Sequence, residues 1–412
     1  MNKFDVAVIG GGPAGLMAAG CAAELGARVI LLEKNPACGR KLLMTGNGRC
    51  NVTQDENNIR ELVKKYKNGP FLFSAFSKFG PSDMREFLSR LNIQTKVEEL
   101  GRVFPASNKA NDVLNAMLGY LEQGKVEIKY NANVTGFEEK AGEIAAVKIS
   151  DGKIEAKKFI LCTGGSSYPS TGSDGSAYAW LKALGHTIVE PLPALVPLKI
   201  SDAWIKELKG LALENAALKL EADKKVISKS QGDMLFTHFG VSGPAVLTVS
   251  REAASALKAK QDVRLSIDIF PQKTAQDLDL QIKNLFRENA RRTAANALAT
   301  IMTARLAPKI LELSGLYETR QSGQVTKQER ERLVACLKNI DLQVSGSMGF
   351  DVAMVTSGGV DVKEVDPKTM QSKIIPNLYL AGEVLDIDGP TGGYNLQACW
   401  STGRAAGESV QA

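Results

Sequence analysis

Three glycines and one glutamate near the start of the chain have the types and spacing of a dinucleotide-binding turn. Gly10, Gly12 and Gly15 follow one another as G-x-G-x-x-G, and Glu33 comes 23 residues after Gly10. In such a turn the first glycine permits the bend, the second lets the backbone approach a pyrophosphate, and the third allows close helix–strand packing. An acidic residue at the position of Glu33 can accept both hydroxyls of an adenosine ribose. The pattern therefore predicts a site for FAD or NAD rather than NADP.

The segments around this turn have the pattern of a βαβ unit. Residues 5–9 are typical of a short buried strand, residues 14–25 of a helix, and residues 28–32 of a second buried strand. Gly26 stands where a helix ends in a left-handed residue. A helix that begins at the turn would offer oriented N–H groups and a partial positive charge to a phosphate. The predicted cofactor contacts of this unit are Gly10, Gly12, Pro13, Ala14, Gly15, Glu33 and Lys34.

A glycine-rich and cation-rich segment over residues 39–51 favours FAD over NAD. NAD dehydrogenases usually continue into another βαβ unit, whereas this segment has the composition of a flexible basic loop. Such a loop suits the long backbone of a flavin dinucleotide, although a mobile basic loop without a ligand is the alternative. The candidate contacts are Arg40, Lys41, Thr45, Gly46, Gly48, Arg49, Cys50 and Asn51.

Two later strand ends carry further candidates. Residues 159–162 are typical of a buried strand that runs into Thr163, Gly164 and Gly165, and ligands lie at such carboxyl ends in open α/β sheets. Residues 377–381 form a second such strand, followed by a glycine and a carboxylate that can bond ribityl hydroxyls. The helix predicted over residues 396–407 would direct its N–H groups at the flavin N1–C2=O edge, which gains negative charge on reduction. The candidates in this region are Gly382, Glu383, Gly392, Gly393, Tyr394, Asn395 and Leu396.

Five motifs, spread nearly end to end, resemble those of the YhiN/BaiN-like NAD(P)/FAD-dependent flavoproteins, some of which are known as aminoacetone oxidases. The motifs are VIGGGPAGLMAA, GRKLLMTGNGRCNVT, CTGGSSYPSTGSDGSAY, GDMLFTHFGVSGPAVL, and MVTSGGV with LYLAGEVLDIDGPTGGYNLQACWSTGRAAG.

The resemblance implies an α/β fold with a glutathione-reductase-type, FAD-binding Rossmann domain that is discontinuous in sequence. It also implies bound FAD, with NAD(P)H as a transient electron donor, and a hairpin layer in which the backbone of Val134 contacts the adenine. We therefore expect an FAD-binding domain over residues 1–191 and 345–412, with a β-meander at about 122–159. The short strands of residues 192–270 predict an inserted small β-barrel, and the apolar periodicity of residues 271–344 predicts a helical subdomain that returns to it. Ser242 is the expected N-cap of a helix over residues 244–259.

Few side chains qualify as a proton donor or base. His238 lies in one of the family motifs, and Tyr394 could donate a proton or stack on a ring, so these two are the catalytic candidates. For Cys50 a packing role is the default, because no base is evident beside it. The six cysteines contain no C-x-x-C pair and no Cys/His ligand spacing, which excludes disulfide reduction and predicts no metal site.

Composition and charge limit the remaining possibilities. Lys and Arg total 51 against 45 Asp and Glu, a net charge of +6 without a basic stripe, so no nucleic-acid partner is expected. The uncharged run over residues 6–23 could be a signal peptide or membrane anchor, but consecutive glycines and a proline would break its helix. Unpaired cysteines and the lack of another long apolar stretch favour a cytoplasmic protein without membrane contact. The oligomeric state is left open.

Three functions are compatible with the sequence. The first is an NAD(P)H-driven flavoenzyme that reduces a small organic substrate through flavin N5 hydride transfer. The second is an oxidase that takes hydride from a small amine such as aminoacetone and reduces O₂. The third is a non-enzymatic or RNA-linked flavin-binding protein, which the even charge distribution disfavours.

Overall fold

A computed structural model describes residues 4–410, which form two compact units. One unit comprises the residues up to Pro193 together with those from Phe350 onward, and the second comprises Ala194–Gly349. The strands are β1 (Phe4–Ile9), β2 (Val29–Leu32), β3 (Thr53–Gln54), β4 (Thr95–Val97), β5 (Arg102–Pro105), β6 (Glu127–Lys129), β7 (Val134–Lys140), β8 (Glu143–Ile149), β9 (Gly152–Leu161), β10 (Ile188–Ala194), β11 (Leu198–Ile200), β12 (Ala212–Ala222), β13 (Lys225–Phe236), β14 (Gly240–Ser242), β15 (Val263–Asp268), β16 (Ile340–Ser347), β17 (Val355–Val360) and β18 (Leu378–Leu380).

The helices surround these strands in both units. They are α1 (Pro13–Glu24), α2 (Arg40–Gly48), α3 (Ile59–Val63), α4 (Gly69–Lys78), α5 (Pro81–Arg90), α6 (Ala110–Gln123), α7 (Ser176–Ala183), α8 (Pro244–Lys258), α9 (Ala275–Glu288), α10 (Ala294–Leu298), α11 (Ala307–Leu313), α12 (Lys327–Lys338) and α13 (Tyr394–Ser409). No helix within residues 4–410 is long and apolar enough to cross a membrane.

The first unit is organised by a seven-stranded sheet. Its strand order is β6-β2-β1-β9-β8-β7, with β18 paired to β9. The pairs β6–β2, β2–β1, β1–β9 and β9–β18 are parallel, whereas β7, β8 and the first half of β9 form an antiparallel meander. Strand β1 lies at the centre and is buried almost throughout because helices and strands cover it. The carboxyl ends of β1, β2 and β9 therefore meet at one edge of the sheet.

Two predictions for this unit were wrong in detail. The segment after Gly39 is not a loop: α2 begins at Arg40, and helical geometry is interrupted only from Thr45 to Asn47. The meander does not begin at residue 122, because α6 continues to Gln123 and β6 pairs in parallel with β2. Local composition misled in both places, since glycine content does not exclude a helix and β propensity does not specify a partner strand.

The second unit is a closed barrel with helices packed against it. The strand order is β11-β14-β13-β12-β15-β16, and β16 closes the barrel on β11. The barrel and the helices share one apolar core, in which Leu218 of β12, Ile282 of α9 and Leu333 of α12 are buried. The region after residue 271 consists of the separate helices α9 to α12, followed by strand β16. Strand β16 extends to Ser347, past residue 345, where the second segment of the FAD-binding domain was expected to begin. Ser242 is not the N-cap of α8, which begins after Gly243.

Phe159 supplies the test of the central sheet. It is fully buried where β9 pairs with both β1 and β18. We expect Phe159→Ala to lower the free energy of unfolding by about 3–5 kcal/mol, because it removes a large apolar side chain from a packed core. Urea denaturation followed by circular dichroism measures the change. The control is Phe73→Ala on α4, where the ring is 44% exposed; an equal loss in both variants would contradict the assignment of Phe159 to the core.

Candidate functional site

The crossing of β1 and α1 forms one wall of a cavity in the first unit. Gly10 has a φ of +104° and makes the turn, and a carbon atom added at Gly15 would overlap the carbonyl oxygen of Gly10. At Gly12, in contrast, an added carbon would meet nothing within 4 Å. Helix α1 has no side-chain cap at its N-terminus, so its first N–H groups face open space. This arrangement suits an anionic group such as a pyrophosphate.

All residues that line the cavity belong to the first unit. They include the carboxyl ends of β1 and β2, the start of α2, the loops after β6 and β9, and the second turn of α13. Of the sequence-predicted residues, the cavity brings together Gly10, Gly12, Pro13, Ala14, Glu33, Lys34, Arg40, Lys41, Val134, Thr163, Gly164, Gly382 and Glu383.

Glu33 is held rigidly at the end of β2. One carboxylate oxygen accepts a hydrogen bond from the N–H of Gly11 (2.8 Å), and the other accepts two from Asn35, from the backbone N–H (2.8 Å) and from Nδ2 (2.7 Å). The carboxylate is almost fully buried. The oxygen bonded to Gly11 retains one lone pair, which can accept from a ribose hydroxyl.

Three cationic side chains line the cavity, and each is oriented by a protein partner. Lys34 pairs with Asp174 (2.7 Å), and Arg40 donates to Oδ1 of Asn35 (2.8 Å). Lys41 donates to the hydroxyl of Ser167 (2.6 Å) and pairs with Glu383 (2.7 Å). These contacts hold positive charge beside the uncapped start of α1, where two phosphates would need it.

Glu383 has more partners than the sequence indicated. Besides Lys41, its carboxylate accepts hydrogen bonds from the hydroxyl of Ser167 (2.8 Å) and from the N–H of Thr356 (2.7 Å). The carboxylate thus connects α2, the loop after β9 and β17. As in Glu33, these three bonds leave one lone pair, here on the oxygen bonded to Lys41, and the contact with a ribityl hydroxyl stays a prediction.

Several buried polar atoms in the first unit have no partner among residues 4–410. Thr163 Oγ1 and Ser173 Oγ both belong to lining residues, and Asn51 Oδ1 and the hydroxyl of Tyr178 are also unpartnered. Burial raises the pKa of Tyr178 above its usual range, and two carboxylates raise it further. Buried polar groups normally bond, so the two lining hydroxyls fit a polar ligand.

Sequence reasoning missed several lining residues. Asn35, Thr171, Ser173, Ser176 and Trp180 all line the cavity. Four of them lie in or just after the CTGGSSYPSTGSDGSAY motif, from which only Thr163, Gly164 and Gly165 were predicted as contacts. Continued glycine and hydroxyl content after a strand end was the available signal.

The remaining predicted cofactor residues lie outside the cavity lining. They are Gly15, Thr45, Gly46, Gly48, Arg49, Cys50, Asn51, Gly165, Gly392, Gly393, Tyr394, Asn395 and Leu396. Arg49 does not reach phosphate positions, because it pairs with Glu98, donates to Asn108 (2.7 Å) and covers the ring of Phe104. Burial raises the pKa of Cys50 to about 12, which agrees with a packing role.

The start of α13 forms a second polar region of the same unit. Helix α13 begins after Gly393 without a side-chain cap. Cys399 lines the cavity, and Tyr394 precedes it by five residues, which corresponds to about 7.5 Å along a helix. The helix start is therefore about one and a half turns beyond the cavity wall, on the side where a dinucleotide would continue.

Tyr394 is buried at this helix start in a network that fixes its hydroxyl. Gln54 Nε2 donates to the carbonyl of Leu100 (2.8 Å) and to the Tyr394 hydroxyl (3.1 Å), while Gln54 Oε1 accepts from the N–H of Asp55 (2.8 Å). Backbone partners on both ends of the amide determine its orientation. The Tyr394 oxygen is thus an acceptor for Gln54, and its own hydrogen remains available to another acceptor.

The other catalytic candidate belongs to the second unit. His238 is exposed on the turn between β13 and β14, with its ring edge against Phe239 at 5.0 Å between centroids. Its catalytic role stays a prediction.

Comparison with known proteins agrees with this architecture. The family model described as "HI0933-like protein Rossmann domain" matches residues 4–409. The chain is 32% identical to the 3-dehydro-bile acid delta(4,6)-reductase of Clostridium scindens, over 100% of this chain and 99% of the relative. It is 29% identical to the ribosomal RNA dihydrouridine synthase of Escherichia coli, over 100% of this chain and 98% of the relative.

A solved structure supports the fold. The 3-ketosteroid-Δ4-(5α)-dehydrogenase of Rhodococcus jostii RHA1 aligns with a TM-score of 0.51 at 14% identity, covering 100% of this chain and 97% of that one. The predicted Rossmann-type α/β fold and the resemblance to the YhiN/BaiN-like group are confirmed. A full-length relative named as a reductase also confirms the expectation of an oxidoreductase. The expected absence of a nucleic-acid partner has no such support, since another relative is named for ribosomal RNA.

Gly12 supplies the test of the cavity as the cofactor site. Its backbone is extended, at φ −82° and ψ −177°, so alanine fits the fold, but the new methyl group would occupy the open space before α1. We expect Gly12→Ala to fold normally and to lose most of its FAD, measured as the ratio of absorbance at 450 and 280 nm after reconstitution. The control is Gly119→Ala on α6, where an added carbon also meets nothing within 4 Å. Full FAD content in Gly12→Ala would exclude this cavity.

Proposed function

Because the chain belongs to the family described as HI0933-like protein Rossmann domain, we propose that it is an FAD-dependent reductase. In this proposal NAD(P)H is the electron donor, and the substrate has a carbon–carbon double bond conjugated to a carbonyl group. The observation that carries the proposal is the cavity itself, in which the open Gly12 position, the buried carboxylate of Glu33 and two unpartnered hydroxyls occur together.

The names of the two full-length relatives support the substrate class. One describes the reduction of double bonds in a 3-oxo bile acid, and the other the formation of dihydrouridine. Dihydrouridine is uridine whose ring double bond has gained two hydrogens, and that bond is conjugated to a carbonyl group. The two substrates differ greatly in size and polarity, so the electron-poor double bond is what they share.

Residues of the cavity would hold FAD in an extended conformation. Glu33 would accept from the adenosine ribose, and the start of α1 with Arg40 and Lys41 would bind the pyrophosphate. The side-chain hydroxyls of Thr163 and Ser173, which have no partner among the described residues, would form hydrogen bonds with the sugar or ribityl hydroxyls. The uncapped start of α13 would place positive charge where the reduced flavin carries negative charge.

The proposed reaction balances with one donor and one proton. When bound, FAD accepts a hydride from NAD(P)H and supplies it to the substrate. The β-carbon of the conjugated double bond takes the hydride, and the α-carbon takes a proton. The products are NAD(P)⁺ and the saturated carbonyl compound, and the protein must provide the proton.

Tyr394 is the proton donor in this proposal. Its hydroxyl accepts from Gln54 and therefore keeps its own hydrogen for the α-carbon. The ring of Tyr66 lies edge-on to the ring of Tyr394, with 5.9 Å between the centroids. The Tyr66 hydroxyl donates a hydrogen bond to the backbone carbonyl of Tyr394 (2.7 Å) and helps to fix the helix start. A general acid of this kind typically contributes about 10²–10⁴-fold to a rate.

Uridine in ribosomal RNA is a second candidate substrate for the same chemistry. It is favoured by the relative at 29% identity over the full length. Recognition of RNA would need positively charged side chains in contact with phosphates. With a net charge of only +6, such side chains could be concentrated in only a limited part of the surface.

Anaerobic reduction tests the electron donor. The purified protein with FAD is mixed with NADH, NADPH or aminoacetone, and flavin absorbance is followed by stopped flow. We expect rapid bleaching by a nicotinamide nucleotide, followed by reoxidation on addition of a 3-oxo-Δ4,6-steroid acid or of a uridine-containing ribosomal RNA fragment. Bleaching by aminoacetone alone would support the oxidase instead, and a protein that takes up no FAD would refute the proposal.

Tyr394→Phe tests the proton donor. We expect the turnover number for double-bond reduction to fall about 10²–10⁴-fold, while FAD content and the rate of flavin reduction by NAD(P)H stay unchanged. Steady-state and half-reaction kinetics measure the two effects separately. Tyr317→Phe serves as the matched control, because its side chain is 84% exposed in the second unit. Unchanged turnover in Tyr394→Phe would remove this residue from the mechanism.

A further inference from the structure

We infer that the turn from Glu98 to Arg102 selects the substrate, through the apolar side chain of Leu100 and the guanidinium of Arg102. We call this segment the hairpin turn, since it joins β4 to β5. It would favour a free molecule with an apolar body and an anionic group. The inference rests on the proposed function, which leaves the substrate open between a small molecule and uridine in RNA.

Leu100 stands out among the described residues. Its side chain is 86% exposed, and its backbone is left-handed, with φ +60° and ψ +23°. A leucine adopts this conformation only where its surroundings impose it, and such strain tends to occur at functional sites. The side chain of Leu100 therefore does not contribute to the core and is available for contact with a ligand.

Hydrogen bonds impose the conformation. Gln54 Nε2 donates to the carbonyl of Leu100 (2.8 Å), and the N–H of Asp55 donates to the carbonyl of Gly101 (2.8 Å). Glu98 at the start of the turn is held by Arg49 and by Lys96 (3.1 Å). The turn is therefore fixed from β3 on one side and from α2 on the other.

The same bonds place the hairpin turn beside the proposed proton donor. Gln54 Nε2 contacts both Leu100 and the hydroxyl of Tyr394. A carbon atom added at Gly393 would overlap the carbonyl oxygen of Thr53, and one added at Gly392 would lie 3.9 Å from Cγ of Arg102. Leu100 and Arg102 thus lie within one side-chain length of the start of α13, where the proposed reaction occurs.

Arg102 supplies the anionic preference. Within residues 4–410 its guanidinium makes one hydrogen bond, from Nε to the carbonyl of Glu99 (3.1 Å), and has no carboxylate partner. Its side chain is partly exposed. A guanidinium with unused donors in this position can bind a carboxylate in a bidentate manner.

Within the hairpin turn, the exposed aliphatic side chain of Leu100 favours a small amphipathic molecule over RNA. Bases extruded from RNA are typically held by stacking on aromatic or guanidinium planes and by hydrogen bonds to their edges. The guanidinium of Arg102 could serve either kind of substrate, but the aliphatic side chain of Leu100 cannot stack on a base, and it matches the apolar surface of a fused-ring acid. The experiment must therefore distinguish reduction of a small amphipathic acid from reduction of uridine in RNA.

The experiment compares Leu100→Gly, Leu100→Met and Arg102→Gln in the FAD-loaded full-length protein. The probes are a 3-oxo-Δ4,6-steroid acid, its methyl ester, and a uridine-containing ribosomal RNA fragment. Leu100→Gly should raise KM for the acid and the ester about tenfold, with kcat unchanged, because apolar contact is lost. Its melting temperature should not fall, because glycine accepts the left-handed conformation, and Leu100→Met should restore the KM.

Arg102→Gln should raise KM about tenfold for the acid alone, since the ester lacks the charge. Leu25→Ala is the control, with a leucine 44% exposed at the far end of α1; it should change neither constant. The inference is overturned if Leu100→Gly leaves KM unchanged, if Arg102→Gln affects acid and ester equally, or if the RNA fragment is reduced and the steroids are not.

Calorimetric titration of the steroid acid separates this inference from the proposed function. If the protein reduces none of the three probes, the proposed function fails, but binding of the acid still tests the hairpin turn as a ligand contact. Weaker binding in both Leu100→Gly and Arg102→Gln would then support the hairpin turn as a ligand contact. Equal binding in all variants, or no binding in the parent protein, would refute it.

Discussion

The close packing of helix α1 against β1 and α13 is the constraint on which the rest of the first unit depends. A carbon atom added at Gly15 would overlap the carbonyl of Gly10, and one added at Gly403 or Gly407 would overlap the carbonyl of Ala14 or Ala18. Helix α1 therefore lies against β1 and α13 at backbone distance, which only glycine permits. This packing fixes the starts of two helices in one unit, and both starts lack a side-chain cap.

Electrostatics follow from that packing. The start of α1 needs an anion, and α2 brings Arg40 and Lys41 to the same cavity, where Asn35 and Glu383 orient them. Glu33 contributes a buried carboxylate to the same cavity. In the proposed function, protein partners hold positive charge for phosphates and a hydrogen-bond acceptor for hydroxyls in place, which lowers the cost of binding.

In the proposed function, the small sheet β3-β5-β4 connects the cofactor site to the substrate site. Strand β3 packs against the start of α13, and Gln54 at its end contacts both Tyr394 and the hairpin turn. One amide side chain therefore relates the proton donor to the residues that would hold the substrate. Arg49, which the sequence suggested as a phosphate ligand, instead anchors the same turn through Glu98.

Local patterns in the sequence were sufficient to predict the dinucleotide turn, the strands around it, the family and the fold class. They succeed because a glycine that must bend or allow close backbone approach is identifiable from spacing alone, as at Gly10 and Gly15. The cavity positions of Glu33 and Thr163 were likewise predictable, since ligands bind at the carboxyl ends of parallel strands. What depends on distant partners was not predictable: the ion pair of Arg49 with Glu98, the three hydrogen-bond partners of Glu383, and the parallel pairing of β6 with β2. Only the tertiary structure decided these, because the choice rests on which charges and strands lie within about 3 Å after folding, and no local pattern encodes that.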